Sequence, residues 1–131
     1  EKNIRNVVFT GFMNNLKEVR YYQLAADVLV SYYTRLDHPV EYNYPQKLQE
    51  YISTFNPVVT PDFEATRDVI NDSSVFFVVP DNPAALADGI KLAIENKSLA
   101  KQKAEFAFEV SKTITYESKS VDFLNFFETI K

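Results

Sequence analysis

Tyr44-Pro45-Gln46-Lys47-Leu48-Gln49-Glu50-Tyr51-Ile52, running on to Asn56-Pro57-Val58-Val59, is the stretch whose reading decides the fold. It predicts a short helix docking against a buried strand. Pro45 suits the first helical position, where a missing N–H leaves no bond unmade. Leu48, Tyr51, Ile52 and Phe55 recur at helical spacing and give one apolar face. Asn56-Pro57 stops the helix, and Val58-Val59 begins a strand. Lys47 adds a full charge to a helix start, whose free N–H groups and partial positive charge already suit a phosphate. Glu50, three residues after Lys47, is placed to accept hydrogen bonds from sugar hydroxyls. The same residues also fit an ordinary amphipathic helix with a solvated Lys–Glu pair, which is worth little at a surface.

Working outward, strands alternate with helices. Upstream, Asn6-Val7-Val8-Phe9-Thr10 reads as a short buried strand, followed by Gly11 where a positive φ is often needed. Asn14 or Asn15 caps a helix over Leu16–Leu24, with Leu16, Val19, Tyr22 or Gln23, and Ala26 facing inward. Val28-Leu29-Val30-Ser31-Tyr32-Tyr33 is an uninterrupted run of the kind buried on both faces of a parallel sheet. A polar loop with His38-Pro39 leads into the central stretch, and His38 there reads as solvent-facing.

Downstream, Phe63 to Ile70 is a short helix, and Val75-Phe76-Phe77-Val78-Val79 is a further buried strand closed by Pro80. Asp81-Asn82-Pro83 is a strong helix start, with Leu86, Ile90, Ala93 and Ile94 as the buried stripe. A helix over Ser98–Lys112 has Leu99, Phe106 and Val110 among its apolar positions. The last helix starts near Thr115 or Tyr116. It carries Val121, Phe123, Leu124, Phe126, Phe127 and Ile130, more apolar surface than a single buried face requires.

This alternation predicts an α/β fold with about four parallel strands and helices on both faces. Ligands of such sheets bind at the carboxyl ends of the strands. The loops after Thr10, Ser31, Thr60 and Val79 then gather at one edge, where the central helix starts.

Composition narrows the function. The chain has 131 residues, a length suited to one domain, and its 46% hydrophobic content supports a core. A net charge of −4 argues against nucleic acid as the main partner. With no cysteine, neither a disulfide nor a thiolate metal site is possible, and one histidine excludes any site needing two. Two glycines exclude a glycine-rich phosphate loop within this chain. No apolar run reaches the roughly 18 residues of a membrane-spanning helix. No signal-peptide pattern opens the chain, although Glu1 need not be its natural start, and the expected location is cytoplasmic.

The order of these pieces resembles the C-terminal, nucleotide-sugar-binding domain of the group 1 retaining glycosyltransferases of two-domain GT-B architecture. Six segments carry the resemblance. They are Asn6 to Phe12, Leu24 to Ser31, Pro45 to Tyr51 with Pro57-Val58-Val59, Asp68-Val69-Ile70, Pro80 to Ala87, and Tyr116-Glu117. The resemblance implies a Rossmann-like half of a GT-B fold, with residues 1–131 forming one incomplete donor domain and residues 83–131 its C-terminal helices. It implies that Glu50 binds the donor ribose and that Gln46 and Lys47 meet the donor diphosphate. Gly11 and Phe12 then lie near the base, and Tyr42 and Asn43 near the base or sugar.

The family's second glutamate, expected at the sugar, would fall at Tyr42. Glu41 beside it is the candidate catalytic residue, or else a solvated loop charge. No metal or bound cofactor is implied. The donor would be a UDP- or GDP-sugar, and a hexose would pass with retention to a glycan or lipid-linked acceptor.

The family domain opens with two further β-α units that supply the middle strands of the 3-2-1-4-5-6 order. This chain is therefore expected to be a fragment whose sheet has a gap, inactive without its N-terminal acceptor domain. Phe123, Phe126 and Phe127 are either surface for that domain or extra core. Peripheral membrane association of the parent is implied as well. The alternative is a non-catalytic α/β binding or assembly module, favoured by the missing glycine pair, whose place Phe63-Glu64 takes. A receiver-like signalling domain is disfavoured, because Asn6 to Gly11 offers no acidic residue.

Overall fold

The computed structural model describes residues 4–35 and 44–130. Three parallel strands form the sheet: β1 (Leu29–Val30), β2 (Val58–Pro61) and β3 (Phe76–Val78), in the order β1-β2-β3. Leu29 pairs with Val58, Val59 with Phe76 and Pro61 with Val78. The ladder continues past the strand ends, where Ser31 N donates to Val59 O and Asp62 N to Val78 O.

The helices are α1 (Leu16–Ala25), α2 (Gln46–Ile52), α3 (Glu64–Arg67), α4 (Pro83–Glu95), α5 (Lys97–Ser111) and α6 (Tyr116–Thr129). Their starts follow local chemistry. Asn15, Asn82, Asn96 and Thr115 each accept a first-turn backbone N–H through the side chain. Thr115 and Ser118 complete a reciprocal capping box.

Strand β2 is the centre, with all four residues buried. Neighbouring residues of a strand point to opposite faces. Val58 packs in a core with Leu48 and Ile52 of α2, while Val59 packs in a second core with Ala93 of α4. Helices α2 and α4 therefore cover opposite faces. Gly89 of α4 is buried against the sheet because it has no side chain. A Cβ there would lie 2.5 Å from Val78 Cγ1 and 3.3 Å from Val59 Cγ1.

Several expectations change. Asn6 to Thr10 is not a strand, so among the described residues the sheet has three strands rather than about four. Val8 and Phe9 are 87% and 92% exposed. The run has the composition of a doubly buried strand, yet no strand lies beside it among the described residues to satisfy its backbone. For the same reason β1 has no partner on its outer edge among the described residues, and Val30 is exposed rather than buried.

On α1, Leu16 and Tyr22 face solvent and Gln23 is the buried residue. Pro45 caps α2 one position before the first helical residue. Phe55 leaves the α2 face altogether. The chain reverses there with φ 63°, and its exposed ring stacks on Phe108 at 3.7 Å. Ile94 is exposed, because α4 packs through Gly89 and Ala93, and Phe106 is exposed, because α5 packs through Ala100, Ala104 and Ala107, whose small side chains allow close approach. The predicted helix Phe63–Ile70 shortens to α3, whose Arg67 ties Asp62 and Asp72 together. Helix α6 buries none of its residues, so its aromatics are surface.

Candidate functional site

The site is assembled where α1 and α2 converge beside the loop that carries Gly11. A helix between two parallel strands runs back along the sheet, so the amino end of α2 lies at the carboxyl edge. Pro45 offers no side-chain cap, and Leu48 N donates to Pro45 O at 2.9 Å, so among the described residues the N–H groups of Gln46 and Lys47 are the ones left to other acceptors. Gly11 has φ 72°, a conformation that glycine enters without the steric cost a Cβ imposes.

Two clefts meet α2. The first, of about 470 Å³, is lined by Gly11, Phe12, Val19, Gln23, Lys47 and Tyr51 among others. It brings together Gly11, Phe12 and Lys47, three of the residues singled out in the sequence. The second, of about 480 Å³, is lined by Gln46, Gln49 and Glu50 of α2 with Ile114, Tyr116 and Glu117 from the α5–α6 corner. Gln46 and Glu50 thus line a different cleft from Lys47, although Glu50, three residues on, is its neighbour on the helix surface. Gln49 donates to Ile114 O and holds that corner in place. Glu41, Tyr42, Asn43 and His38 lie outside the described residues.

Glu50 links the two clefts. Gln23 Nε2 donates to Glu50 Oε2 at 3.0 Å. Arg20 Nη1 donates to the Glu50 carbonyl at 3.3 Å and to Ser53 Oγ at 3.2 Å, and Arg20 Nη2 donates to Ser53 O at 2.9 Å. A cation at a helix carboxyl end answers the free carbonyls and the partial negative charge there. Asn56 Nδ2 adds a bond to Gln23 O at 2.8 Å. The Tyr51 phenol is pushed upward in pKa, first by burial and then by the Glu50 charge, so it stays a protonated donor.

Arg20, Gln23 and Asn56 were not read as site residues. The signal was partial: Arg20 and Gln23 stand three apart on one helix face, and Gln23 was one of two candidates for the inner face. Nothing in the sequence names Glu50, almost thirty residues on, as their partner.

The family model for the glycosyl transferases group 1 matches residues 1–110. This chain belongs to that family. The match runs from the segment before α1 through nearly all of α5, leaving α6 outside it. Among solved structures, this group 1 chain is similar to sucrose-phosphate synthase from Thermosynechococcus elongatus. The TM-score is 0.63 at 18% identity, over 83% of this chain and 26% of that one. It therefore spans about a quarter of the length of that protein. At such identity the likeness shows the fold, a Rossmann-like parallel sheet flanked by helices and half of a GT-B architecture. The order β1-β2-β3 is the one expected for the 4-5-6 side of a doubly wound sheet. No curated protein matches.

Proposed function

We propose that this chain forms the donor-binding portion of a retaining glycosyltransferase, which moves a hexose from a UDP- or GDP-sugar to a glycan or lipid-linked acceptor. The observation that carries the reading is the convergence of Gly11, Phe12 and Lys47 on one cleft, with Glu50 reached through Gln23. The diphosphate lies against Lys47 and the uncapped first turn of α2, with Gln46 beside it. The ribose hydroxyls donate to Glu50, and the base lies by Gly11 and Phe12.

As the bond from the anomeric carbon to the donor oxygen breaks, negative charge grows on the departing diphosphate. Lys47 and the α2 N–H groups are aimed at that charge, the kind of stabilisation that lowers such barriers most. No metal or further cofactor has a role in this reading. Glu41 is the candidate catalytic residue of this chain, and the acceptor site and the rest of the catalytic machinery come from an N-terminal domain of the parent. The chain by itself is inactive. A cytoplasmic site of action and peripheral membrane contact of the parent belong to the same reading.

A second reading, a non-catalytic assembly module, draws on α6, which exposes Phe123, Leu124, Phe126 and Phe127. Calorimetric titration of UDP and then GDP into the full-length protein separates the two. Saturable binding that weakens at least about tenfold in Glu50→Ala and Lys47→Ala is expected for a donor site, since each removes a charge-assisted bond worth roughly 1.5–3 kcal/mol. A folded protein that binds neither nucleotide sinks the donor reading and leaves the assembly module.

A further inference from the structure

The carboxylate of Glu50 is on the surface, yet it is not free to turn. Gln23 is a buried glutamine on α1, and its amide is spent on two groups. Its Oε1 accepts from Arg20 Nη1 at 3.4 Å, and its Nε2 donates to Glu50 Oε2 at 3.0 Å. The orientation of that amide follows from the partners. A guanidinium can only donate and a carboxylate can only accept, so oxygen must face Arg20 and nitrogen must face Glu50. Arg20 is itself held by three bonds to the last turn of α2 and its cap, at Glu50 O, Ser53 O and Ser53 Oγ.

The chain of contacts therefore runs from the α2 backbone through Arg20 and Gln23 back to the α2 side chain of Glu50. It leaves Glu50 Oε1 without a partner among the described residues.

We propose that Gln23 is a positioning residue for nucleotide recognition. It holds one oxygen of Glu50 so that the other is presented, already oriented, to the hydroxyl pair of a ribose. The inference rests on the donor-site reading above and deepens it by naming what sets its selectivity for a ribonucleotide. A free glutamate would lose rotamer freedom on binding a diol, and that loss is subtracted from affinity. Here Gln23 has already restricted the carboxylate in the unliganded fold. Arg20 keeps Gln23 in register, so the pair transmits the geometry of α1 to a carboxylate on α2. Gln23 also lines the cleft with Lys47, so the hydroxyl effect is read as a ratio between nucleotides that differ only in their hydroxyls.

The test is calorimetric, in the full-length protein, with four probes: UDP, GDP and their 2′,3′-dideoxy analogues. The ratio of affinities for each nucleotide and its dideoxy form reads the hydroxyl contact alone. Wild type is expected to prefer the ribonucleotide by about tenfold or more. Glu50→Gln should collapse that ratio towards one. Gln23→Met, of similar size but without the amide, should lower the ratio roughly three- to tenfold, the span expected for fixing one flexible side chain. Gln23→Glu, which sets a second carboxylate against Glu50, should lower it further, and it serves if the methionine variant fails to fold. Thermal unfolding confirms that each variant is folded.

A ratio that falls in Glu50→Gln and stays at the wild-type value in folded Gln23→Met or Gln23→Glu overturns the positioning role and leaves the donor site standing. Equal weakening of the ribo and dideoxy forms in the Gln23 variants means a merely structural role, and also overturns it. A wild-type protein with no hydroxyl preference, or a ratio indifferent to Glu50→Gln, removes the donor reading and this inference with it.

Discussion

Val58–Pro61 and Val7–Phe9 are both short apolar runs, and they meet opposite fates. Val58 and Val59 of β2 are fully buried, each on its own face, between two parallel neighbours. Val8 and Phe9 are almost wholly exposed and form no strand. The difference is not in the residues. A strand buried on both faces must have its backbone bonded by neighbours and both faces covered, because an unpaired buried N–H or C=O costs about as much as the burial gains. β2 has β1, β3, α2 and α4 around it. The amino-terminal run has no such partners among the described residues.

The comparison can be broken from its buried side first. Leu48→Ala removes a fully buried side chain that packs against β2 from α2. It should destabilise the fold by about 2–5 kcal/mol in urea unfolding, since a cavity is added to the lost transfer energy. Gly89→Ala should come next. The added methyl meets Val78 Cγ1, on a stiff β-branched side chain, so α4 must shift from the sheet. Overpacking of this kind costs about 1–3 kcal/mol, outweighing the gain of up to about 1 kcal/mol in helix propensity. An unchanged unfolding midpoint would mean that α4 does not sit as close to the sheet as described.

A third variant compares α6 with β2. Thr115→Ala removes the capping box at the start of a helix that buries nothing. The loss is about 1 kcal/mol and should stay local. Hydrogen exchange in α6 should speed several-fold while the amides of β2 keep their protection. Equal acceleration in both would show that α6 is coupled to the core. The smallest effect is expected at the exposed run. Val8→Ser and Phe9→Ser should each change stability by no more than about 0.5 kcal/mol. A loss comparable to that of Leu48→Ala would mean that the run is covered after all.

The legible parts of the fold were those set by local chemistry. Asn82-Pro83 and Thr115 mark helix starts through their own side chains, whereas the Asn96 cap of α5 was not read, its helix being expected from Ser98. Pro57 marks the exit from α2, and the all-buried Val58–Thr60 run marks the central strand. Less legible were the faces. Leu16, Ile94 and Phe106 stand at plausible inward positions, yet a helix buries only the side its neighbour covers. Alanines at 100, 104 and 107 did the packing in α5, and their small size hid them from a search for large apolar residues.

The candidate site divides in the same way. Lys47 and Glu50 stood out because both fall on one short helix whose start was readable. That they line different clefts was not readable from charge or spacing.

By itself, then, the sequence determined the order and type of most elements, the alternation that makes the sheet parallel, and membership of the group 1 glycosyltransferases. Each of these rests on residues near one another in the chain. Only the tertiary structure decided which apolar runs become strands, which face of each helix is core, and that Gln23 and Arg20 hold Glu50. Those outcomes depend on partners remote in sequence. A hydrogen bond such as Gln23 to Glu50 exists only once β1 and β2 have paired and brought α1 and α2 side by side.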